Sequence, residues 1–384
     1  MKIALVHKRL DLNGGTERDL YTTAEGLRDL GHEVHLFCSE YSVPAPRGVL
    51  WHQVPVTPLG RAVRLWSFAF AAPKPLEESR CDVVMNFGRM FDADVLRCGG
   101  GTHRGFLRRM ALEGSARRRL WQSLSIYHQS LLAIEKRQFN SARVQKIIAV
   151  SEMVKNDIMG NYAVAEEKIA VLYNGADPRR FHPSRRDEFR RSVREHWKIP
   201  LEAPLVLFVG SGFRRKGLDR LIRLWSCQEL APVYLLVVGS DARIGRYRTW
   251  GDSVAPGKII FTGRQGAIEK FYAAADLVAL PSLQEAFGNI VLEALAYGLP
   301  VLVSHDAGAA ELLTGSLTQG IVERPDDPVE LQGKLLSLID KSKDLSLAKE
   351  ARRIGERYSW DNHFRELERL LLDSCVTPSL ARVS

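Results

Sequence analysis

Two glutamates flank a short glycine-bearing turn in residues 281–303, PSLQEAFGNIVLEALAYGLPVLV. Glu285 precedes the turn, and Glu293 lies eight positions later inside an apolar-periodic run that predicts a helix. A carboxylate is a poor phosphate ligand but a good acceptor for vicinal hydroxyl groups, which sugars and ribose carry. The amides of residues 288–290 would direct the positive end of that helix at an anion. The spacing suits a ligand with sugar, diphosphate and ribose in sequence; two ordinary surface glutamates are the alternative.

A second candidate site is the turn VGSGFRRKGLDRL at residues 209–221, which follows a predicted strand and opens a predicted helix. Its glycines do not fit G-x-G-x-x-G, because Arg215 stands where the last glycine would, and the G-K-[ST] of a P-loop is absent. Arg214, Arg215 and Lys216 lie at its tip. Backbone amides and cations at a helix start can bind a diphosphate. A solvated basic loop is the alternative.

The elements that must position these residues alternate between strand and helix. KIALVH at residues 2–7 predicts a buried strand, and a glycine loop and a helix with Leu20, Ala24 and Leu27 on one face follow it. The same order restarts at PLVLFVGSG and runs through VYLLVVGS, KIIFTG, DLVALPS and PVLVS. Such alternation predicts an α/β fold with parallel sheets covered on both faces. Two series of this kind, separated near Tyr173, predict two doubly wound Rossmann-like domains facing each other across a cleft.

Length and composition agree with that organisation. A chain of 384 residues is long for a single core, and 45% hydrophobic with 26% charged residues is typical of a globular protein. Five scattered cysteines without a C-x-x-C pair favour neither a disulfide framework nor a zinc site. The apolar run after Lys2 has four residues, which is too short for a signal-peptide core. These features predict a cytoplasmic protein.

The net charge of +9 is concentrated in two segments. Residues 101–147 contain ten Lys or Arg against two Glu, and residues 177–198 form a second basic cluster, DPRRFHPSRRDEFRRSVREHWK. Such clusters predict an anionic partner, which could be nucleic acid, phospholipid or a phosphorylated small molecule.

The motifs together are similar to those of a known enzyme family. SLQEAFGNIVLEALAYGLPVL resembles the E-x7-E signature of the retaining GT-B glycosyltransferases of family four, and GGTERDL resembles their N-terminal glycine loop. IAVSEMVKNDI and VLYNGADPRRFHP resemble the interdomain region. VLFVGSGFRRKGLDRLI and YAAADLVALPSLQEAFG resemble the bacterial lipopolysaccharide core glucosyltransferases. The resemblance covers nearly the whole chain and is strongest over residues 147–303.

The resemblance implies a nucleotide-sugar donor held mostly by the second domain. Glu293 would bind the ribose hydroxyls, Glu285 would bind hydroxyls of the transferred sugar, and Arg215 with Lys216 would neutralise the departing diphosphate. The other implied donor-binding residues are Gly14, Gly15, Arg264, Phe287, Gly288 and Asn289. The implied domains are residues 1–172 on the acceptor side and 173–359 for the nucleotide sugar, with a last helix at about 360–384 packing back on the first.

The acceptor side offers fewer signals. The family often has a histidine near the reacting sugar, and His103 in CGGGTHRGF is the candidate here; an isolated histidine in a polar loop is the alternative. Asp19 could bind the acceptor, or it could complement the dipole in the first turns of a helix. Arg104 is a further acceptor candidate. Asp92 and Asp94 form a D-x-D pattern, which we interpret as structural or acceptor-side, and the sequence predicts neither a metal nor a cofactor.

The basic segment bears on partners. Leu120, Leu124, Tyr127, Leu131 and Ile134 recur at helical spacing and predict an inward-facing stripe. Phe106 and Trp121 beside arginines are expected to contact an anionic membrane or a phosphorylated glycolipid acceptor. A stripe with a solvated basic back is the alternative.

The sequence thus favours a retaining, metal-independent hexosyltransferase. It would move a sugar, with UDP-glucose as the implied donor, onto a lipopolysaccharide core or similar glycolipid. The expected location is the cytoplasmic face of the inner membrane, to which the enzyme would bind peripherally. Two alternatives remain: a GT-B enzyme such as a UDP-N-acetylglucosamine 2-epimerase, and a basic nucleic-acid-binding protein. The chain lacks helix-turn-helix, zinc and RNP signatures, so no nucleic-acid partner is expected.

Overall fold

The computed structural model describes residues 1–12, 15–112 and 124–376. They form two compact units, one of Met1–Tyr173 together with the chain from His363 on, and one of Asn174–Asn362. No helix among the described residues has both the length and the apolar character that a membrane span needs.

The first unit is built on a parallel sheet. Its strands are β1 Lys2–Val6, β2 Arg9–Leu10, β3 Glu33–Cys38, β4 Glu40–Tyr41, β5 Leu50–Gln53, β6 Val83–Asn86, β7 Val95–Cys98, β8 Lys146–Ala149 and β9 Ile169–Val171. Seven of them pair in the order β5-β3-β1-β6-β7-β8-β9, and β2 pairs with β4 separately. Every pairing is parallel. The apolar run of β1 is completely buried, as expected for a central strand of such a sheet.

Seven helices in the described residues belong wholly or mostly to this unit. They are α1 Gly15–Asp29, α2 Gly60–Ala71, α3 Pro73–Ser79, α4 His103–Leu112, α5 Ile126–Asn140, α6 Glu152–Asn161 and α14 Trp360–Val376. Leu20, Ala24 and Leu27 of α1 are fully buried against the sheet. Leu367 and Leu371 of α14 lie in the same apolar cluster, so the core of this unit is made from both ends of the described chain.

The second unit repeats the plan with six parallel strands. They are β10 Leu205–Val209, β11 Tyr234–Val238, β12 Ile259–Gly263, β13 Leu277–Leu280, β14 Val301–Ser304 and β15 Ile321–Val322, in the order β12-β11-β10-β13-β14-β15. The helices are α7 Arg186–His196, α8 Leu218–Leu224, α9 Ile244–Val254, α10 Glu269–Ala274, α11 Asn289–Ala296, α12 Pro328–Asp340 and α13 Leu345–Arg357. Short 3-10 turns lie at Pro183–Arg185, Gln228–Leu230, Gly308–Leu312 and Gly315–Gly320, and one more lies in the first unit at Glu166–Lys168.

The strand order of the second sheet has a switch point beside β10. β11 pairs on one side of β10, and β13, which comes later in the chain, pairs on the other. The connections therefore diverge at the carboxyl ends of β10 and β13, which is where open α/β sheets bind ligands. The two candidate segments of the sequence are the turns that follow these strands.

The structure corrects two predictions about charged and apolar surfaces. In the second basic cluster, Arg186, Arg190 and Arg194 turn toward Asp276, at 2.9, 3.0 and 2.8 Å, so these three arginines pair with a carboxylate of the protein itself, and only Arg194 is fully buried. In the predicted inward stripe, Leu131 and Ile134 are buried, but Leu124 is 70% exposed. Leu120 and Trp121 lie outside the described residues, and Phe106 is half-buried.

Candidate active site

The turn after β10 approaches a neighbouring backbone so closely at its last position that glycine is strongly favoured there. Gly217 caps α8 with φ +79°, and a Cβ there would lie 1.9 Å from the carbonyl oxygen of Pro281. The backbone amide of Leu283 donates to the carbonyl oxygen of Arg215 at 2.8 Å. This hydrogen bond joins the turn after β10 to the loop after β13, so side chains from the two segments can contact each other.

The loop after β13 is held in an extended conformation. The amide of Glu285 donates to the carbonyl oxygen of Asp306, and the carbonyl oxygen of Glu285 accepts from the amide of Gly308, at 3.0 and 3.1 Å. The side chain of Phe287 is buried, with 3% exposure, and its carbonyl oxygen accepts from Ala309. Glu285 is thus fixed by its backbone, and the Phe287 ring is part of the core.

Three predicted site residues meet in one cluster. One carboxylate oxygen of Glu285 accepts from Lys216 Nζ at 2.8 Å and from Arg215 Nη1 at 2.9 Å. Burial raises the pKa of Glu285, but the charges of Lys216 and Arg215 outweigh this and leave the pKa below its ordinary value. The cluster carries a net charge of about +1 at neutral pH, so it can attract a negatively charged group.

Helix α11 begins beside this cluster. Gly288 caps it with φ +98°, a conformation that favours glycine, and Asn289 Oδ1 accepts from Asn174 Nδ2 at 2.8 Å. The first amides of a helix carry partial positive charge along the axis. The helix start therefore adds to the positive potential that Arg215 and Lys216 provide.

Glu293 lies on α11 and is held by a buried tyrosine. Tyr272 is fully buried, and its hydroxyl donates to Glu293 Oε2 at 2.6 Å. Burial, followed by the charge of Glu293, raises the pKa of Tyr272 well above its ordinary value, so the phenol stays protonated and keeps donating. Sequence reasoning missed Tyr272, since a tyrosine in the apolar segment FYAAADLVAL reads as core. Arg264 follows β12 and is exposed.

In the first unit, His103 is neither isolated nor in a loop. It is the first residue of α4, and its Nε2 lies 3.0 Å from Nδ1 of His128. Burial, followed by the nearby charge of Arg89, lowers its pKa to about 4, so the imidazole is neutral at pH 7.

Glu135 organises the surroundings of His103 and was not predicted. Its side chain is fully buried and accepts from the backbone amides of His103 and Arg104 at 2.7 and 3.2 Å. Arg89 Nη1 and the Tyr162 hydroxyl donate to it at 2.6 Å each. Burial raises the pKa of Glu135, but Arg89 together with these hydrogen bonds lowers it by more, so that the net shift is downward. No local signal marks this residue, because its partners come from distant segments.

The other first-unit candidates have different surroundings. Asp19 is 6% exposed, and its Oδ2 accepts from buried Arg97 at 3.1 Å, which is an internal ion pair. Arg104 is exposed, with its guanidinium 5.3 Å from the centre of the Tyr162 ring. Gly15 is the first residue of α1, and a Cβ there would meet nothing within 4 Å, so no atom of the described residues in this unit requires glycine at that position. Gly14 lies outside the described residues.

The D-x-D carboxylates are engaged with protein groups. Asp94 accepts from the amide of Val84 at 2.8 Å and from Arg143 at 3.2 Å. Asp92 accepts from the Ser141 hydroxyl at 2.7 Å. Over the part of the chain that the structure describes, no group of three or more His, Cys, Asp or Glu side chains could hold a metal ion.

Family models cover both units. The model for Glycosyltransferase Family 4 matches residues 13–180, and the model for Glycosyl transferases group 1 matches residues 189–357. This chain belongs to the GT-B glycosyltransferases of family 4. The enzyme is 27% identical to lipopolysaccharide glucosyltransferase WaaG of Escherichia coli K12 over 344 residues, which cover 86% of this chain and 87% of WaaG. It is also 29% identical to a D-inositol 3-phosphate glycosyltransferase of Corynebacterium kroppenstedtii over 60% of this chain and 53% of that protein.

Solved structures agree on the fold of this glycosyltransferase. The crystal structure of WaaG superposes with a TM-score of 0.80 at 24% identity, covering 96% of this chain and 99% of WaaG. Anabaena HepE in complex with UDP-glucose gives a TM-score of 0.69 at 17% identity, covering 97% of this chain and all of that one. Because both family models are those of glycosyltransferases, the chain is a glycosyltransferase, and the epimerase and nucleic-acid-binding alternatives are not supported.

Proposed function

We propose that this glycosyltransferase transfers glucose from UDP-glucose, with retention of configuration and without a metal ion, to a phosphorylated glycolipid such as a lipopolysaccharide core. The observation that carries the proposal is the Lys216–Glu285–Arg215 cluster beside the start of α11. It offers cations, helix amides and a sugar-binding carboxylate at one edge of the second sheet.

Charge grows on the diphosphate as the bond to the sugar breaks, and stabilising that charge is the main catalytic task. Arg215 and Lys216 take this role, together with the amides at residues 287–289. The Lys216 side chain is only 12% exposed, so its charge acts through a medium that screens less than bulk water. Gly14 and Gly15 would bring backbone amides to the phosphates.

The two glutamates bind the two ends of the donor. Glu285, with its carboxylate oriented by both cations, accepts from hydroxyls of the transferred sugar. Glu293 accepts from the ribose hydroxyls while Tyr272 holds its other side. Arg264 contacts the base. His103, neutral at pH 7, donates to or accepts from a hydroxyl of the sugar, and Asp19 and Arg104 remain candidates for acceptor binding.

Without an enzymic nucleophile, retention requires the acceptor hydroxyl to attack on the face that the diphosphate leaves, and the departing phosphate itself is the base that accepts the proton of that hydroxyl. In this mechanism the enzyme supplies no nucleophile. Its residues orient the donor and stabilise the leaving group.

Metal-free titration calorimetry with UDP, GDP and ADP in EDTA tests the donor. We expect UDP to bind most tightly and Glu293→Gln, which can still accept from Tyr272, to weaken UDP binding by about tenfold. Glu202→Gln, an exposed glutamate in the same unit, is the matched control. If none of the three nucleotides binds, the donor assignment is wrong.

Loss of transfer in EDTA that manganese restores would refute metal independence.

The acceptor proposal includes peripheral binding at the cytoplasmic face of the inner membrane. Exposed apolar side chains lie on α2 and at the start of α5, where Arg61 covers the Tyr127 ring at 4.1 Å. They are Leu59, Val63, Phe70, Leu124 and Ile126. Apolar side chains beside arginines suit an anionic lipid surface.

Flotation with phosphatidylglycerol vesicles tests the membrane proposal. We expect binding at low salt that is lost at high salt, and weaker binding for Phe70→Ser with Ile126→Ser. Val329→Ser, an equally exposed apolar residue of the second unit, is the control. Absence of binding at low salt would overturn this part of the proposal and leave a soluble phosphorylated acceptor, as the name of the D-inositol 3-phosphate relative describes for that protein.

A further inference from the structure

A basic groove lies on the second unit outside the candidate active site. Helices α8 and α9 pack beside each other and border a space of about 730 Å³. Four arginines line it: Arg214, Arg223, Arg243 and Arg246. The groove also contains the rings of Tyr247 and Trp250, whose centres are 6.4 Å apart.

Among the described residues, the four guanidinium groups have no carboxylate partner. Across the described stretches 1–12, 15–112 and 124–376, none of them forms an ion pair within 4.0 Å, although many other arginines of the enzyme do. Arg215, the neighbour of Arg214, shows the contrast, since it pairs with Glu285 at 2.9 Å. Like charges gathered around one concave surface raise the local affinity for anions.

One carboxylate lines the groove, and it favours ligands that carry hydroxyl groups. Asp219 lies among the lining residues, and its Oδ1 is buried without a hydrogen-bond partner among the described residues. A buried carboxylate oxygen gains from a hydroxyl donor, and a sugar phosphate offers several hydroxyls where an inorganic phosphate dianion has only its single P–OH. A sugar ring offers hydroxyls and also an apolar face that can lie against an aromatic ring such as Trp250.

We infer that this groove, here called the α8–α9 groove, is a second ligand site that binds a phosphorylated carbohydrate. The phosphate would bind the arginines, a hydroxyl would donate to Asp219, and the sugar ring would lie on Trp250. Arginine is suited to the phosphate because its planar fork donates in pairs. Arg214 belongs to the turn that carries Arg215 and Lys216, but none of the lining residues is among those assigned to the donor, so this inference stands whether or not UDP-glucose is the donor.

Titration calorimetry with glucose 6-phosphate, inorganic phosphate and glucose tests the inference. We expect glucose 6-phosphate to bind more tightly than inorganic phosphate, and glucose not to bind measurably. Arg223→Gln with Arg246→Gln should weaken glucose 6-phosphate by at least about tenfold, because two charge-assisted hydrogen bonds are lost. Both residues are exposed, so the variant should fold, which thermal unfolding checks. Arg248→Gln, on the same helix and outside the groove, is the matched control.

Two further variants separate this site from the active site. Lys216→Ala should leave glucose 6-phosphate binding unchanged in the α8–α9 groove while it weakens UDP. Asp219→Asn should reduce the preference for glucose 6-phosphate over inorganic phosphate. If Lys216→Ala abolishes the binding and the double arginine variant does not alter it, the phosphate sits in the active site and the inference is wrong.

A vesicle experiment identifies the source of the phosphorylated carbohydrate. Vesicles containing phosphatidylinositol 4-phosphate present a phosphorylated polyol on a lipid. Retention of the enzyme that the double arginine variant loses, without binding of glucose 6-phosphate, would assign the groove to a lipid-linked ligand. Binding of neither probe to the wild-type enzyme would overturn the inference.

Discussion

The two units treat buried carboxylates in different ways. In the second unit, Glu285 accepts from Arg215 and Lys216, and the side chain of Arg215 is 40% exposed. In the first unit, Glu135 is fully buried, and four donors surround it. Glu285 lies in a cluster with cationic surface left for a ligand, whereas Glu135 is saturated by the protein. We infer that the Glu285 cluster of the second unit serves binding and catalysis. The Glu135 cluster of the first unit serves to position α4 and His103.

The largest expected effect is on stability, from Glu135→Ala. The change leaves Arg89, the Tyr162 hydroxyl and two backbone amides without their acceptor, and breaking a buried charge cluster from one side costs about 3–5 kcal/mol. Urea unfolding measures the free energy of unfolding, with Glu78→Ala on the exposed side of α3 as the control. A loss below about 1 kcal/mol would remove the contrast between the two clusters.

The next effect is on catalysis, from Lys216→Ala. Removing one charged stabiliser of a leaving group is expected to lower kcat by about 10²–10³-fold. The fold should remain, because Arg215 still pairs with Glu285. Release of UDP from UDP-glucose measures the rate, and Arg248→Ala controls for loss of a positive charge. Unchanged kcat with a large loss of stability would make this cluster structural, like that of Glu135.

A smaller difference is expected between two glycines of the turn after β10. Both have left-handed φ, +70° at Gly212 and +79° at Gly217, but only a Cβ at Gly217 meets backbone, the carbonyl oxygen of Pro281 at 1.9 Å. Gly212→Ala should cost about 1 kcal/mol of backbone strain, and Gly217→Ala about 3 kcal/mol because overpacking adds to it. Thermal unfolding compares the two variants. Equal losses would show that the turn is not held by its contact with Pro281.

The smallest effect is a pH dependence in the first unit. His7, whose Nε2 lies 3.7 Å from Glu17 Oε1, and Arg9, whose Nε donates to that oxygen at 3.1 Å, lower the pKa of the Glu17 carboxyl to about 2, against 4.5 in an unfolded chain. A lowered carboxyl pKa stabilises the fold above pH 4.5 and loses this contribution as pH falls toward 2. The stability advantage of wild type over Glu17→Gln should therefore shrink by about 1.4 kcal/mol between about pH 6 and pH 3.5. An advantage independent of pH would contradict the lowered pKa.

The second-unit site could be predicted from sequence because its determinants are local. The strand, the glycine turn and the basic tip of residues 209–221 are contiguous, and so is E-x7-E. The fold class followed from the alternation of apolar runs with helical patterns. The family resemblance assigned both segments to the binding of one nucleotide-sugar donor.

The first-unit contacts could not be predicted, because they join distant positions. Asp19 meets Arg97, and Glu135 meets Arg89 and Tyr162, over separations of 78, 46 and 27 residues. At the level of sequence, Asp19 is an ordinary acidic residue in the first turns of a helix. The prediction of an anionic partner for Arg186, Arg190 and Arg194 of α7 was wrong for the same reason, since Asp276 lies more than 80 residues beyond them.

Helix α14 has a consequence for the order of events during synthesis. Leu367 and Leu371 complete the apolar cluster that β1, β3 and α1 begin. At about 5–20 residues per second, the ribosome needs roughly 10–40 s to make the intervening Asn174–Asn362. During that interval the nascent first unit exposes the apolar surface that α14 will cover, and the second unit becomes complete in sequence before Leu367 and Leu371 are made. On the ribosome, the first unit should therefore complete its fold after the second. Until α14 is made, the exposed apolar surface of the first unit can bind a chaperone.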